Sequence, residues 1–468
     1  MFDYLIGVFE SLYMRQRLEV RDPIHGFVYR EPEERDVMDT RIFQRLRRLR
    51  QLALASLVYP GATHSRFEHS VGAFHLAGKI ASALDVDASE TRLLKLAALL
   101  HDIGHGPFSH VAEPILKRHS DKKKLGDQVA ESKVHELISW QIISTDKELA
   151  RLISDKHREQ IVGLLKGTWG HSYLQEIVSG PVDADKQDYL LRDSLFSGVK
   201  YGVYDQERLS NTLVIHDDND DKFLAISIDG MHALEQFVLA KYYMTTQVYR
   251  HKIRLITDQM IERGIALGIE DDKVAWLKTL YSFDGSPEYV AHYLEWSDDR
   301  LINEVLGNAT PDGYAKRFFK RLYNRQLFKC IFDVDQNDFP DPNVRNFVFG
   351  DAKDFYKPLE KAIAEMLKLD SNEVIAYTIK FDSATRTESE IPVIQPMRTT
   401  VFHDESTLFR SVDQKIREER FHIYAPISFQ DDKDKKKRLR EYKNGILELI
   451  GKMADPQTTL ALERDSTK

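Results

Sequence analysis

A chain of 468 residues exceeds the span over which one hydrophobic core keeps growing, so one large domain with additions is expected. A hydrophobic fraction of 42% supports a sizeable core, and a formal net charge of −8 argues against a surface coated for nucleic acid. The single cysteine, Cys330, excludes an intrachain disulfide and points to a reducing compartment. The apolar stretch Met1 to Glu10 carries Asp3 and Glu10 and no basic leader, so it reads as a packed helix rather than a signal peptide. No window approaches the roughly 18 uninterrupted apolar residues of a membrane span. No membrane contact and a cytoplasmic location are expected.

Arg21 to Gly26 places proline and glycine in a turn, followed by a short strand over Phe27 to Tyr29. Asp39-Thr40 reads as a helix start, with Ile42, Phe43, Leu46, Leu49 and Leu52 following at helical spacing. Arg41, Arg45, Arg47, Arg48 and Arg50 load that helix with positive charge, and Tyr59 to His64 breaks it. The next helix carries Phe67, His69, Val71, Phe74 and Leu76. Asp87 to Glu90 opens a third, which runs through Leu93 to Leu100 into His101-Asp102, where Gly104, Gly106 and Pro107 stop it. A short helix follows His110, then a polar, mobile loop from Asp121 to Lys133, then helices from His135 to about Leu165. Pro181 to Asp185 starts another helix, with Lys186, Asp188, Tyr189, Arg192 and Asp193 on it. Asp217 to Asp221 is turn-like, Phe223 to Ile228 alternates like a strand, and Met231 to about Leu267 reads as one long helical run.

Past Phe328 the character shifts. Strands over Leu327 to Phe332, Val374 to Phe381 and His422 to Ile427 alternate with helices near Asp354 to Leu367 and Glu405 to Ile416. Asp431 to Arg440 is a charge run, and Asp455 to Lys468 reads as a frayed tail. The expected fold is mainly α, with a helical catalytic core over residues 1–335 and a smaller appended α+β region over 336–468.

The chemistry concentrates at the end of the third helix. His69, the His101-Asp102 pair and Asp185 combine imidazole with carboxylate, a donor set for a divalent metal. His105, His110 and His135 remain for proton transfer, and Glu113, one helical turn from His110, is placed to orient it. Arg66 lies between His64 and His69, and Lys186 adjoins Asp185. A cation beside a metal ligand is repelled unless an anion lies between them, so a phosphate-bearing substrate is expected.

These residues resemble the H…HD…D pattern of the HD-domain phosphohydrolase superfamily. Asp22 to Gly26, Phe43 to Arg47, Pro60 to His64, Arg66 to Ser70, His101 to His110, and Asp183 to Lys186 with Asp188-Tyr189 resemble its deoxynucleotide triphosphohydrolase branch more closely. That branch includes a human SAM- and HD-domain enzyme and bacterial dGTPase relatives, and the likeness spans about residues 17 to 335. It implies an HD motif region over about 60–200 and one divalent transition metal (Fe, Mn, Ni or Zn) on His69, His101, Asp102 and Asp185. Mg would accompany the substrate triphosphate. The implied reaction is water attack at the α-phosphorus of a dNTP, releasing deoxynucleoside and inorganic triphosphate. His110 would donate a proton to the leaving 5′ oxygen, with Glu113 behind it where family members usually carry Asp. His105, His135, Arg66 and Lys186 would face the triphosphate. Gln51, Tyr189 and Asp193 correspond to contacts with the sugar 3′-hydroxyl, and Leu52 and Tyr249 to residues that crowd a 2′-hydroxyl.

Two departures stand out. The family's phosphate-reaching arginine is Lys241 here, which keeps the charge and loses the bidentate fork, and a following histidine is Thr245. Asp39, Gln44 and Arg47 match positions that read a guanine effector, GTP or dGTP, in enzymes that assemble as homo-oligomers, so a tetramer or dimer is expected. An HD-type phosphodiesterase or nucleotidase acting on another phosphoester is the alternative. Nucleic-acid contact through the arginine helix is the less favoured reading.

Overall fold

The computed structural model describes residues 18–126, 132–218, 221–350, 355–379, 386–412 and 419–454; the expected N-terminal helix and C-terminal tail lie outside them. Contacts divide the chain into two compact units. One comprises Met1–Tyr249, Ala275–Glu304 and Thr387–Leu408; the other comprises Arg250–Val274, Val305–Arg386 and Phe409–Lys468. The architecture is mainly helical, with small sheets. Among the described residues no helix is long and apolar enough to cross a membrane.

The first unit opens on an antiparallel pair, β1 (Leu18–Asp22) and β2 (Gly26–Arg30). Asp22 Oδ1 accepts the backbone N–H groups of Ile24 and His25 at 2.8 and 2.9 Å, and Gly26 takes φ +73°, which closes the turn. The arginine-rich segment corrects the reading of one helix from Ile42 to Leu52. A single α turn (Arg41–Gln44) tightens into a 3-10 turn (Arg45–Arg48), and Leu49 is extended. Arg50 instead bridges Ser65 antiparallel, the Gln51 N–H donates to His64 O, and the Arg66 N–H donates to Leu49 O. This pairing supplies the extended segment with the backbone partners that a helix would have found within itself.

Helix α1 (Arg66–Ala83) starts at a capping box of Ser65 and Glu68 and is buried on most sides. Helix α2 (Ala88–Leu100), capped by Asp87, packs along it and ends at His101. The expected loop after Asp121 contains a helical turn, Lys122–Leu125, while residues 127–131 lie outside the described chain. Four longer helices follow, with a single turn at Leu149–Leu152 between the first two: α3 (Val134–Thr145), α4 (Asp155–Lys166), α5 (Ser172–Ser179) and α6 (Ala184–Ser197). Helix α6 packs on α1. Strands β3 (Leu213–Asp218) and β4 (Asp221–Ser227) form an antiparallel pair. A hairpin unmarked in the sequence reading, Pro392–Gln395 with Arg398–Val401, joins β4 in parallel through Ile226↔Val393.

The run from Met231 to Leu267 is also interrupted. Helix α7 (Met231–Tyr243) passes into a π turn, Met244–Tyr249. His251 then caps α8 (Lys252–Glu270), its Nδ1 accepting from the Ile253 N–H at 3.3 Å. Single π turns are frequent at functional positions.

In the second unit α8 packs on α9 (Tyr314–Tyr323), and a Cβ at Gly264 would lie 2.9 Å from the Phe318 side chain. A three-stranded sheet runs in the order β5 (Lys329–Asp335), β7 (Arg420–Ala425), β6 (Ile375–Ile379), with each strand offset slightly from its expected bounds. Val334, Phe421 and Ile423 pack with Leu359 and Ile363 of α10 (Tyr356–Leu367) and with Ile446 and Ile450 of α11 (Asp432–Ala454). The charge run is therefore the first half of a helix. The helix expected over Glu405 to Ile416 is two short ones, Phe402–Glu405 and Thr407–Val412, and its last residues lie outside the described chain.

On α1, burial, with His25 and Lys79 nearby, pushes the His75 pKa down to about 4, against the weaker pull of Asp22 and Asp188. Below about pH 6.5 an unfolded chain binds a proton at this residue that the folded chain refuses until about pH 4, so stability falls across that window as pH is lowered. Equilibrium denaturation of His75→Gln is expected to give a flatter acid limb than wild type; identical limbs would remove His75 as its source.

Candidate metal centre and phosphate site

Four side chains from three places converge. His69 comes from the second turn of α1, His101 and Asp102 from the end of α2, and Asp185 from the first turn of α6, whose N-cap is Asp183. Asp185 Oδ1 lies 2.9 Å from His69 Nε2 and 3.6 Å from His101 Nε2. Asp102 Oδ1 lies 3.3 Å from His101 Nε2, and Asp102 Oδ2 lies 3.8 Å from His69 Nε2.

The hydrogen bonds on the far side of each ring fix the tautomers. His69 Nδ1 meets Asp188 Oδ2 at 2.9 Å, and His101 Nδ1 meets the Ala98 carbonyl at 2.7 Å. With Nδ1 protonated, each Nε2 is the ring atom aimed inward, and among the described residues both Nε2 atoms are buried without a hydrogen bond of their own; an arriving metal takes the lone pair by displacing any proton there. Donors bound about 2.0–2.2 Å from one ion lie about 3 Å apart. The separations, the orphaned nitrogens and the mixed N/O donor set therefore fit a divalent metal. His69, His101 and Asp185 form the tighter cluster; Asp102 also carries an ion pair to Arg66 through Oδ2. Burial opposes charge on His69, but Asp185 and Asp188 outweigh it and hold its pKa up at about 10. Burial likewise opposes ionisation of Asp102, and Arg66, His101 and His105 overcome it and keep the carboxylate well below its ordinary range.

Beside these groups is a recess of about 210 Å³, lined among others by Gln51, Arg66, His105, His110, Lys133, His135, Lys186 and Tyr189. Arg66 is buried, donates to Ser109 Oγ at 2.7 Å and anchors Asp102. Lys186 Nζ donates to the Gly180 carbonyl at 2.8 Å and to Asp183 Oδ2 at 2.5 Å. His105 and His135 stack with centroids 3.9 Å apart, and His110 meets both edge-on at 4.8 and 5.4 Å. Burial, then Arg66 and His135, push the His105 and His110 pKa values well below the ordinary range, so both rings are neutral; the His110 ring is open to the recess. Gly104 allows this loop to seat on α3, because a Cβ there would lie 2.2 Å from His135 O.

Several expected residues are placed differently. Glu113 reaches His135 rather than His110: its carboxylate takes the Val134 N–H and meets His135 Nδ1 at 2.7 Å, which caps α3 and aims that ring. Lys241 is not among the residues lining the recess and pairs at 2.5 Å with Glu388, a fully buried carboxylate whose Oε2 makes no hydrogen bond. Asp193 is buried, meeting His64 Nε2 at 2.6 Å and accepting from Tyr249 OH at 2.8 Å. Leu52 and Tyr249 pack in one apolar cluster, and Gln51 borders the recess. Asp39 is exposed after the helix Pro32–Met38; Gln44 donates to Met38 O at 2.8 Å and accepts from Arg47 Nε at 2.8 Å, while Arg47 covers the Phe67 ring. The sequence reading gave no role to Asp188, which holds His69, or to Asp22 and Arg192 behind it. The available signal was spacing, since Asp188 and Arg192 each follow the previous acidic residue by about one turn of α6.

The arrangement is a helical metal centre of imidazole and carboxylate donors, walled by cations suited to phosphate. Family comparison agrees: the HD domain matches residues 66–193 and the HD associated region matches residues 204–442. The chain belongs to the HD-domain family and is an HD phosphohydrolase. It is 32% identical over 346 residues to human deoxynucleoside triphosphate triphosphohydrolase SAMHD1, covering 67% of this chain and 54% of that protein. It is 32% identical over 288 residues to an uncharacterized protein of Methanocaldococcus jannaschii, covering 61% of this chain and 57% of that one. The matches thus span little more than half the length of these relatives. A phosphohydrolase structure from Bacteroides thetaiotaomicron superposes with a TM-score of 0.70 at 24% identity, covering 88% of this chain and 100% of that one, a likeness of fold.

Titrating the metal-free protein with Mn(II), Fe(II) or Zn(II) is expected to raise its thermal midpoint reversibly, by about 2.7 kcal/mol of stability at a hundredfold excess over Kd. His69→Ala and Asp185→Ala are expected to abolish the shift; a shift surviving both would place the ion elsewhere.

Proposed function

We propose that this protein hydrolyses deoxynucleoside triphosphates to deoxynucleoside and inorganic triphosphate. The observation that carries the reading is the juxtaposition, in one recess, of the His69–His101–Asp102–Asp185 donor set with Arg66, Lys186 and the three-histidine cluster. The name and similarity of the human relative add the substrate class. A divalent ion (Fe, Mn, Ni or Zn) held by those four side chains supplies Lewis acidity and lowers the pKa of water.

The chain's own residues account for the rest. Arg66 and Lys186 bind and orient phosphate oxygens, with His105 and His135 supplying polar edges. Water attacks the α-phosphorus, the bond from phosphorus to the 5′ oxygen breaks, and that oxygen takes a proton from His110. Burial first, then Arg66 and His135, keep His110 neutral in the empty recess. The negative charge of an arriving triphosphate opposes the contribution of those charges, so His110 gains its proton as substrate binds. Glu113 holds His135 in place. Tyr189 and Gln51 face the sugar, and Asp193 positions Tyr249. Leu52 and Tyr249 close an apolar wall against which a 2′-hydroxyl would lose water without gaining a partner. Asp39, Gln44 and Arg47 form the site for a GTP or dGTP effector, and the active species is a homo-oligomer in the cytoplasm.

Each dNTP, alone and in mixtures, with and without GTP, is incubated with metal-loaded protein and the phosphate product identified by chromatography. Inorganic triphosphate is expected; monophosphate or orthophosphate alone would identify a different phosphoester hydrolase. His110→Ala is expected to lower kcat by roughly 10²–10⁴-fold with KM little changed. A comparable loss in KM instead would make His110 a binding residue.

A further inference from the structure

A second recess, of about 190 Å³, shares no lining residue with the first. Arg41, Arg45 and Arg48 line it from one side, spaced by about one turn each, and Leu294 and Glu295 line the other. We propose that this recess is an anion site that takes a phosphate group and communicates with the loop carrying His105.

Three like charges gathered on one short helical stretch repel each other unless an anion lies among them. One of them is committed to the interior. Arg45 is 2% exposed, donates from Nη1 to the His105 carbonyl at 2.7 Å and from Nε to the Trp296 carbonyl at 3.2 Å. Its Nη2 is buried and makes no hydrogen bond. A buried guanidinium N–H without an acceptor costs about as much as a lost charged hydrogen bond, which is reason to expect a ligand at that edge. Burial also pushes the Arg45 pKa down to about 10, which still leaves it charged at neutral pH.

Among the described residues Glu295 supplies the one carboxylate of the recess. It meets Arg41, Arg300 approaches its other oxygen at 3.7 Å, and its side chain is half-exposed. It behaves as an internal competitor that an incoming anion displaces. The guanidinium groups around it suit the oxygens of a phosphate group, which is the part of any ligand that this lining recognises. The link to the catalytic loop is direct. Arg45 holds the His105 carbonyl and lies over the Tyr293 ring, whose hydroxyl donates to the Gly104 carbonyl at 3.2 Å.

The test is calorimetric titration of the metal-free full chain with inorganic phosphate and, separately, with guanosine monophosphate. Arg48→Glu is expected to weaken binding at least tenfold, and Glu295→Gln to tighten it several-fold, a gain that a merely destabilised variant cannot give. The responses to Arg48→Glu and Glu295→Gln are expected to persist in a Lys186→Gln background, in which a phosphate contact of the other recess is removed. Comparable affinities for the two probes assign recognition to the phosphate group itself, and binding of neither overturns the site. Disappearance of those responses in the Lys186→Gln background, or no response to Arg48→Glu and Glu295→Gln in the wild-type background, also overturns it. Saturating phosphate is expected to slow amide hydrogen exchange over residues 104–108 in wild type and not in Arg48→Glu; unchanged exchange in wild type overturns the link to the loop.

Discussion

One buried carboxylate fixes where the helices of the metal centre can sit. Asp188 meets His25 at 2.7 Å and His69 at 2.9 Å, and accepts two hydrogen bonds from Arg192 at 2.8 Å; Arg192 continues to Asp22 at 2.9 Å. An ion in this position costs several kcal/mol unless every lone pair is used. The network therefore ties the β1–β2 turn, α1 and α6 into one arrangement. Gly72 is the geometric counterpart on α1, since a Cβ there would fall 1.8 Å from Asp188 Oδ1. By taking the Nδ1 proton of His69, Asp188 leaves Nε2 as the inward donor, so the packing of two helices and the chemistry of a ligand are set by the same atom.

Five histidines near this point do different work because their surroundings differ. His69 and His101 have committed their outer nitrogens to a carboxylate and a carbonyl. His135 is gripped by Glu113, and His105 is stacked against it and kept neutral by burial and Arg66. All three of that cluster line the recess, and His110 is the one whose residue is exposed. Under the proposed function the same side chain is metal donor, scaffold or proton carrier according to what stands behind it.

The local part of this was legible in the sequence. An apolar helix running into His101-Asp102 and halted by glycine and proline has few other readings, and the polar start of α6 marked Asp185. What escaped depended on partners distant in the chain. The arginine spacing suggested one continuous basic helix, but Arg45 turns inward to Trp296 and His105, and Arg50 pairs with Ser65. Glu113 stands one turn from His110, yet its partner His135 lies across an intervening loop. The hairpin at Pro392 had no visible reason to be a strand until β4 supplied its neighbour. Periodicity reports which face is buried and says nothing of which distant group shares the burial.

The cations of the recess raise a question of charge that the pairings answer. Arg66 is matched by Asp102, Lys186 by Asp183, and Lys133 by Glu136 at 3.3 Å. Lys241, outside the recess, is matched by Glu388. Each basic group thus has a carboxylate that holds it in place, and these pairs alone offer a polyanion no net positive charge. These carboxylates order the cations at the cost of their long-range pull, which is weak in any case at physiological salt. The excess positive charge that a polyanionic substrate requires must then arrive with the ion that His69, His101, Asp102 and Asp185 are shaped to hold. Under the proposed function, metal occupancy and substrate affinity are a single property of the site, carried by the same four side chains.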